Sequence, residues 1–364
     1  MIIIIERPYQ AAKIYFSSYG IAWFDLDTFI KILEYLSLKG SSSNEELNKV
    51  LMRLSKNKLA TTGREGYYFN KLLWHLGIVI TKKEHRKKYY TLSTYGRKVV
   101  TSLFSAKTKE EKAEIIRNVF KRWYPLVVFL EYIRRHNNVR KKDIVEDLGM
   151  IMRKWTSILH NLGITKKGNI SKPYNNFVVS ALFLPLSLQL GLIENESSRY
   201  HLTKEGKEFL KYTELEKDID VIRTMPGDYT IYSAIADVLY DAKEPIIVSP
   251  WVNGTLKTLI KNVARINSNL EELTIIIRNT QRNQENLKTL IKSVSIPINV
   301  FEYNNLHAKV TINYKGPAIE SSANLLATSL KRNYEVGTYY RKTPLELALA
   351  VEELVSISRK ILVV

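Results

Sequence analysis

The 364-residue sequence contains no cysteine, and this absence excludes several kinds of protein at once. A chain without thiols cannot be a disulfide scaffold, bind zinc or an iron–sulfur cluster through cysteine, or use a cysteine nucleophile. Long apolar runs are also absent. The longest, residues 177–193, is interrupted by serine, proline and glutamine, and it is shorter than the about 20 residues that span a bilayer. We therefore expect a soluble, cytoplasmic protein with no membrane partner.

Acidic residues are scarce relative to basic ones. The chain has 36 Asp and Glu against 55 Lys and Arg, a formal net charge of +19, within an otherwise ordinary globular composition of 45% hydrophobic residues. The excess is concentrated in residues 1–110, which contain 19 basic and 9 acidic side chains. Net charge serves solubility, but this surplus favours a nucleic acid partner, most simply DNA, because cations that neutralise phosphates release condensed counterions.

Two stretches of the N-terminal part repeat one another. Each has Leu-Gly at the end of a helix, a short apolar strand, a turn, a second strand with Tyr-x-Leu, then Ser or Thr and a new helix. The Leu-Gly pairs begin at residues 76 and 190, and the Tyr-x-Leu triplets begin at residues 90 and 200. Glycine suits a left-handed helix end, and Ser or Thr can cap the helix that follows.

This string resembles the wing of a winged-helix domain. In the first copy Thr28–Leu38 and Asn44–Leu54 supply the upstream helices, and Tyr67–Leu76 would be the recognition helix. In the second copy the recognition helix is either Val178–Leu190 or Arg153–Leu162, since both are followed by a similar string. The resemblance implies two α+β winged-helix domains, over residues 1–110 and 111–220.

The turn between the two strands of the first copy is the densest basic cluster in the chain. Its single acidic residue is Glu84. The corresponding turn of the second copy instead has two acidic residues, Glu194 and Glu196, and one basic residue, Arg199. If one wing contacts DNA phosphates, we expect it to be the first; the alternative is an ordinary solvated hairpin. The predicted DNA-binding residues are Lys82, Lys83, Arg86, Lys87 and Lys88.

A polar stretch near residues 213–228 predicts a domain boundary, and the pattern changes beyond it. Apolar strands at 245–252, 273–278 and 298–301 alternate with helices. Such alternation is typical of an α/β sandwich with a largely covered sheet. We therefore predict a multidomain protein in which the α+β units are followed by an α/β sandwich domain over residues 226–364.

Five polar residues of this last segment have a spacing that suggests one site: His307, Lys309, Ser322, Asn324 and Glu335. On an extended strand His307 and Lys309 point to the same face, because side chains repeat with period two. Ser322 and Asn324 share that parity on a neighbouring segment. The pattern therefore predicts that these polar groups converge on one point.

The five residues resemble the signature of the phospholipase D superfamily: His-x-Lys, four residues, Asp, then Gly-Ser-x-Asn. The resemblance covers residues 226–364, one family repeat, and departs at Tyr314, where the family has Asp, and at Ser321, where it has Gly. It implies that His307 attacks phosphorus to form a phosphohistidine. Lys309, Ser322 and Asn324 would hold the phosphoryl oxygens, and Glu335 would fix the tautomer of His307. It implies no metal and no cofactor.

The resemblance also implies a homodimer, because the family's general acid is a histidine from a second repeat and this chain has only one His-x-Lys that continues into the Ser-x-Asn part of the signature. The favoured hypothesis is a dimeric, DNA-binding phosphodiesterase, most simply a metal-independent nuclease. The main alternative is a winged-helix transcription regulator whose phospholipase D-like domain serves dimerisation or effector binding. A phospholipase would need two motifs and a lipid-facing surface, and neither is visible in the sequence.

Overall fold

The computed structural model describes residues 7–18, 24–54, 65–84, 87–165, 178–211 and 218–361. They form a mixed α/β protein that divides into two compact units. The first unit contains Ser17–Met152 together with the described part of Ile170–Leu215. The second contains the described parts of Ile5–Phe16, Arg153–Asn169 and Glu216–Val364.

The first sequence repeat folds as a three-helix segment closed by a hairpin. Helix α1 (Pro8–Ser18) comes first. It is followed by α2 (Leu26–Lys39), β1 (Ser41–Ser42), α3 (Asn44–Leu54), α4 (Glu65–His75), β2 (Val79–Glu84), β3 (Lys87–Leu92) and α5 (Thr94–Ser105). Strands β1 and β2 both pair antiparallel with β3, in the order β1-β3-β2. The three helices predicted before the hairpin are present, with ends that differ by at most two residues.

The second repeat has the same order of elements. It comprises α6 (Lys109–Phe120), α7 (Tyr124–His136), β4 (Val139–Arg140), α8 (Lys141–Asn161), a π-helical turn (Val179–Phe183), α9 (Leu184–Gln189), β5 (Ile193–Glu196), β6 (Arg199–Leu202) and α10 (Lys204–Lys211). Its strand order, β4-β6-β5, matches that of the first repeat. Of the two predicted recognition helices, the one directly before the hairpin is Val178–Leu190, because Arg153–Leu162 forms the end of α8.

The two repeats share a tight junction between the hairpin and the helix that follows it. The hydroxyl of Ser93 accepts a hydrogen bond from the backbone N–H of Gly96 at 2.8 Å, and Thr203 does the same for Gly206 at 3.0 Å. A Cβ at Gly96 would lie 2.1 Å from a hairpin carbonyl oxygen, and a Cβ at Gly206 would lie 2.0 Å from the corresponding one. Both positions therefore require glycine.

The second unit is built on one eight-stranded sheet. Its elements are β7 (Ile219–Arg223), α11 (Thr230–Leu239), β8 (Ile246–Val248), α12 (Gly254–Ile266), β9 (Leu273–Ile277), α13 (Gln281–Ile291), β10 (Ile298–Glu302), β11 (Val310–Ile312), β12 (Ala318–Ser321), α14 (Ala327–Arg332), β13 (Val336–Tyr340), α15 (Leu345–Ile357) and β14 (Arg359–Ile361). The strand order is β14-β10-β9-β8-β11-β12-β13-β7. Strands β8, β9 and β10 pair in parallel, and the other pairs are antiparallel.

Helices cover both faces of this sheet. Helix α11 packs against β7, β11 and β12. Val351 of α15 joins a buried cluster on the sheet that includes Val248, Ile276 and Ile312. The central strands are therefore apolar on both faces, as β8 shows with three buried residues in succession. None of the described helices has the length and apolar run needed to cross a membrane.

The second unit extends beyond the predicted segment 226–364 in three places, one of which is the described part of Arg153–Asn169, although the sequence predicts residues 111–220 as one domain. Strand β7 lies before that segment and pairs with β13 at the edge of the sheet. Helix α1 also belongs to this unit, although the sequence predicts residues 1–110 as one domain. The guanidinium of Arg7 lies 3.0 Å from the carboxylate of Asp237, which is fully buried on α11 and also accepts a hydrogen bond from the hydroxyl of Tyr339. Sequence patterning cannot reveal such a long-range ion pair.

Candidate active site

The predicted polar residues lie where several strands of the second unit end or begin. Lys309 immediately precedes β11, Ser321 ends β12 and Glu335 immediately precedes β13. Strand pairing brings these three positions together. Ser321 lies opposite Gly337, and the N–H of Ser321 donates to the Lys309 carbonyl at 3.0 Å. The strand predicted from His307 begins only at Val310. His307 and Lys309 therefore lie in the loop that leads into β11, at one end of the sheet.

His307 and Lys309 contact each other directly. The Lys309 ammonium donates to the His307 carbonyl oxygen at 2.7 Å and lies 3.4 Å from Nδ1 of the imidazole. The imidazole is exposed, and its Nε2 has no hydrogen-bond partner among the residues that the structure describes. The ring therefore presents Nε2 to an incoming group, with a cation beside it.

Ser322 and Glu335 form a second contact. The Ser322 hydroxyl donates to Oε2 of Glu335 and accepts from the N–H of Val336 at 3.1 Å, and Asn333 donates to Oε1 of the same carboxylate at 3.3 Å. The predicted hydrogen bond between Glu335 and His307 is not among those that the described residues form. Glu335 instead orients Ser322, and its charge reaches Lys309, where it favours the protonated amine.

Asn324 lies in the same loop with its side-chain oxygen unsatisfied. Oδ1 of Asn324 is buried and has no hydrogen-bond partner. A buried polar atom without a partner costs free energy, typically about 1–3 kcal/mol. Among the predicted site residues, Asn324 is thus the one held in place at a cost to folding.

Two residues that sequence reasoning missed complete this region. Arg278 directly follows β9, and its Nε donates to the Leu306 carbonyl at 2.6 Å, immediately before His307. Burial lowers the pKa of Lys309, and the positive charge of Arg278 lowers it further. The Arg278 guanidinium also lies 5.7 Å from the centroid of the Trp251 indole, in the loop after β8. Their position in the sequence could have identified Arg278 and Trp251, because each follows a buried strand that stops at this end of the sheet.

The two departures from the family signature lie in different places. Tyr314 follows the far end of β11, whereas His307 and Lys309 precede its start. The Tyr314 side chain is 41% exposed, and burial of the remainder together with Glu352 raises the pKa of its hydroxyl. Ser321 is adjacent to the site, and its hydroxyl accepts from the N–H of Ala323 at 3.3 Å. Tyr314 and His307 therefore lie beyond opposite ends of β11.

The predicted DNA-binding residues lie on the β2–β3 hairpin of the first unit. Lys83 pairs with Lys88 and Lys82 with Tyr89 in its register. The side chains of Lys82 and Lys87 are exposed, and the ammonium of Lys88 lies 5.1 Å from the centroid of the Tyr90 ring. Arg86 lies outside the described residues, as does the side-chain environment of Lys83. The backbone of this hairpin thus has the predicted form.

One group of potential metal ligands occurs among the described residues, on the β5–β6 hairpin. Atoms of Glu194, Glu196 and His201 lie within 4.8 Å of one another. Glu194 stands directly opposite His201, and the carboxylate lies 2.9 Å from Nε2 of the ring. A cross-strand contact between the carboxylate and the imidazole accounts for this geometry without a metal.

The chain matches no family model, and no curated protein matches it. Solved structures are similar at low identity. NucT from Helicobacter pylori matches 39% of this chain and 99% of its own, with 16% identity and a TM-score of 0.31. Nuc, a phospholipase D family member from Salmonella typhimurium, matches 39% of this chain and 98% of its own, with 13% identity and a TM-score of 0.32. The archaeal chromatin protein TrmBL2 matches 90% of this chain and 92% of its own, with 13% identity and a TM-score of 0.28. At these scores the chemistry has to be inferred from the site itself.

Proposed function

We propose that the protein is a DNA-binding phosphodiesterase, a nuclease that works as a homodimer without a metal. The observation that carries this proposal is the unpartnered Nε2 of His307 beside the Lys309 ammonium. Arg278 adds a second cation to the same end of the sheet, and the half-buried Asn324 offers side-chain N–H donors to a phosphoryl oxygen. A nucleophile flanked by cations and amide groups suits an anionic phosphodiester.

The reaction takes place in two displacements. Nε2 of His307 bonds to phosphorus while the bond from phosphorus to the leaving oxygen breaks, which gives a phosphohistidine. Water then attacks phosphorus, the phosphorus–nitrogen bond breaks, and the imidazole is restored. Attack through Nε2 places the ring proton on Nδ1. Lys309 keeps its 2.7 Å hydrogen bond to the His307 carbonyl in that tautomer. Lys309, Arg278 and Asn324 stabilise the charge on the non-bridging oxygens.

The leaving oxygen needs a proton, and the chain has only one His-x-Lys that is followed by Ser-x-Asn, at His307. In the proposed homodimer His307 of the partner subunit donates that proton and later removes one from the attacking water. A two-fold axis near the site makes each imidazole the acid for the other. The proposed catalytic residues are His307, Lys309, Ser322 and Asn324, assisted by Arg278, and Glu335 positions Ser322.

The first unit delivers the DNA. Its two repeats follow the order helix, short strand, helix, helix and hairpin, which is the order of a winged helix. In this proposal α4 approaches the major groove and the β2–β3 hairpin lies along the phosphates. Lys82, Lys83, Arg86, Lys87 and Lys88 contact the backbone and bind all sequences alike.

The test is cleavage of single- and double-stranded DNA in the presence of EDTA. We expect the wild type to cleave, His307→Ala to lose at least about 1000-fold in rate, and His160→Ala to retain full rate. His160 is a suitable control because it is an exposed histidine of the same unit, outside the site. Cleavage that requires added magnesium, or that persists in His307→Ala, would refute the mechanism.

A second function, transcription regulation through DNA binding alone, is favoured by one observation. The Glu335 carboxylate bonds to Ser322 and Asn333 rather than to His307, so no carboxylate of the described residues orients the imidazole in this arrangement. If the protein regulates transcription, it will bind duplex DNA tightly without cleaving it. His307→Ala will then leave DNA affinity unchanged.

A further inference from the structure

Trp251 differs from the other tryptophans that the structure describes. Trp74, Trp123 and Trp155 are at most 5% exposed, whereas Trp251 is 37% exposed in the loop after β8. An indole is expensive to leave in water, because its large apolar surface contributes to stability only when it is covered. A tryptophan held open beside polar groups therefore points to a ligand with an apolar face.

The loop that carries Trp251 is fixed by one buried side chain. The amide of Asn283, which is 1% exposed, donates to the Pro250 carbonyl at 2.8 Å and accepts from the Val252 N–H at 3.1 Å. The same amide donates to the Arg278 carbonyl at 2.9 Å. Asn283 thus holds the backbone on both sides of Trp251 and the backbone of Arg278 in one arrangement.

The same loop is tied to the catalytic segment. The Ser249 hydroxyl donates to the Trp251 carbonyl at 2.9 Å and accepts from the N–H of Leu325 at 3.2 Å, next to Asn324. Arg278 stacks over the indole and also donates to the carbonyl before His307. The backbone that carries the indole is therefore fixed relative to Asn324 and Arg278.

We infer that Trp251, supported by Arg278, is a stacking surface for the nucleobase next to the scissile phosphate. The inference rests on the proposed function and defines its substrate. Both faces of a base are covered in a duplex, so a base can stack on the indole only when it is unpaired and out of the helix. The site therefore acts on single-stranded or locally unpaired nucleic acid, and it accepts any base, because every base has a π face.

A kinetic test uses two phosphodiesters that share one leaving group: thymidine 5′-(4-nitrophenyl phosphate), which has a base, and methyl 4-nitrophenyl phosphate, which has none. Trp251→Leu should lose about tenfold in kcat/KM on the nucleoside substrate and less than twofold on the methyl substrate. Trp251→Phe should keep most of the wild-type rate on both. An equal loss on both substrates would show that Trp251 only supports the fold and would overturn the inference.

A binding test separates failure of the inference from failure of the proposed function. Full-length wild type and Trp251→Leu are titrated with a hexamer of thymidylate and with the same hexamer made abasic, which carries identical phosphates. Wild type should bind the thymidylate hexamer about tenfold more tightly, and Trp251→Leu should bind both equally. Equal binding by wild type would overturn the inference. Failure of wild type to cleave the methyl substrate would overturn the proposed function whatever the titrations show.

Discussion

Ser321 lies directly opposite Gly337 where β12 pairs with β13, and a Cβ at Gly337 would come within 3.1 Å of the Ser321 Cβ. The same added atom would lie 3.0 Å from the Glu320 carbonyl oxygen. Ser321 is the position at which the family signature has glycine. The Ser321 side chain fits here because Gly337, the residue opposite it, has no side chain. Serine in place of glycine at this position therefore leaves the backbone of the site intact.

Gly337→Ala should therefore destabilise the second unit, by about 1–2 kcal/mol of unfolding free energy, since the methyl group overpacks the ladder. Adding Ser321→Gly should recover part of that loss, which urea unfolding of both single variants and the double variant will measure. Gly254→Ala is the control, because a Cβ there meets nothing within 4 Å. Strictly additive effects of the two substitutions would contradict the proposed steric conflict.

Asn324 should show a conflict between stability and activity. Its Oδ1 is buried without a partner, so Asn324→Ala should leave the free energy of unfolding unchanged or raise it by up to about 1 kcal/mol. Phosphodiester cleavage should fall by about 100-fold or more, because a group that holds the phosphoryl oxygens is gone.

The control for this prediction is Asn283→Ala. The Asn283 amide bonds to Pro250, Val252 and Arg278, and its removal should cost about 2 kcal/mol or more, because those groups lose their partners. A marked loss of stability in Asn324→Ala would show that its oxygen is satisfied in the folded protein and would count against the role assigned to it.

The sequence predicted those parts of the molecule that depend on local pattern. Both hairpins, the helices before the first of them and strands β8, β9 and β10 follow from periodicity and from glycine and Ser or Thr at helix ends. The offsets between His307, Lys309 and Ser322 predicted one site, and the structure gathers these residues at one end of the sheet. These features are encoded over a few residues each.

The features that were missed depend on interactions between distant residues. Arg278 reaches the carbonyl of Leu306 across 28 residues, and Arg7 reaches Asp237 across 230. Strand β7 has a single buried residue, Ile222, and pairs only with β13 at the sheet edge, so its sequence resembles a linker. Glu335 has several donors nearby, and spacing along the chain cannot rank those competing hydrogen bonds.

Lys309 should determine the alkaline limit of activity. Burial and the charge of Arg278 lower the pKa of its ammonium from the ordinary 10.5, while Glu335 opposes this shift. The positive charge that binds phosphate is present below that pKa and is lost as pH rises through it. We expect kcat/KM to fall with a midpoint below 10.5.

Arg278→Gln should move this midpoint to higher pH, since it removes the repulsion, and Glu335→Gln should move it to lower pH. A pH profile of kcat/KM on methyl 4-nitrophenyl phosphate measures both shifts. Identical midpoints in wild type and Arg278→Gln would show that Lys309 does not control the alkaline limb.

The ion pair of Arg7 with Asp237 should stabilise the second unit in a pH-dependent way. Burial raises the pKa of Asp237, and the charge of Arg7 opposes this. Without the guanidinium the pKa rises further, so the folded state keeps a proton that the unfolded state loses above about pH 4. The stability deficit of Arg7→Leu should therefore grow from pH 4 to pH 7.

At pH 7 we expect Arg7→Leu to cost about 2 kcal/mol, less than for a fully buried pair, because the Arg7 side chain is 31% exposed. Arg140→Leu is the matched control, since Arg140 lies at the same 3.0 Å from Asp143 but the pair is exposed. Its cost should stay below about 0.5 kcal/mol at either pH. A deficit that does not change with pH would exclude the buried carboxylate as its cause.

The β2–β3 hairpin should bind DNA through charge alone. Lys83 and Lys88 pair across its register, next to the pair of Glu84 with Lys87, so three lysines cluster near one turn. The triple variant Lys83→Ala, Lys87→Ala, Lys88→Ala should weaken binding of all DNA sequences alike. It should also reduce the slope of log K against log salt by about 0.9 for each phosphate that the hairpin no longer neutralises. Folding should change little, because replacing charged residues outside the core, such as the exposed Lys87, usually alters the free energy of unfolding by less than about 0.5 kcal/mol. Replacing three exposed lysines of the second unit, Lys261, Lys288 and Lys292, removes the same charge and should change the slope little. Fluorescence anisotropy titrations at several salt concentrations measure both quantities. If the two triple variants show equal decreases in affinity and in slope, net charge alone drives binding and the hairpin has no special role in it.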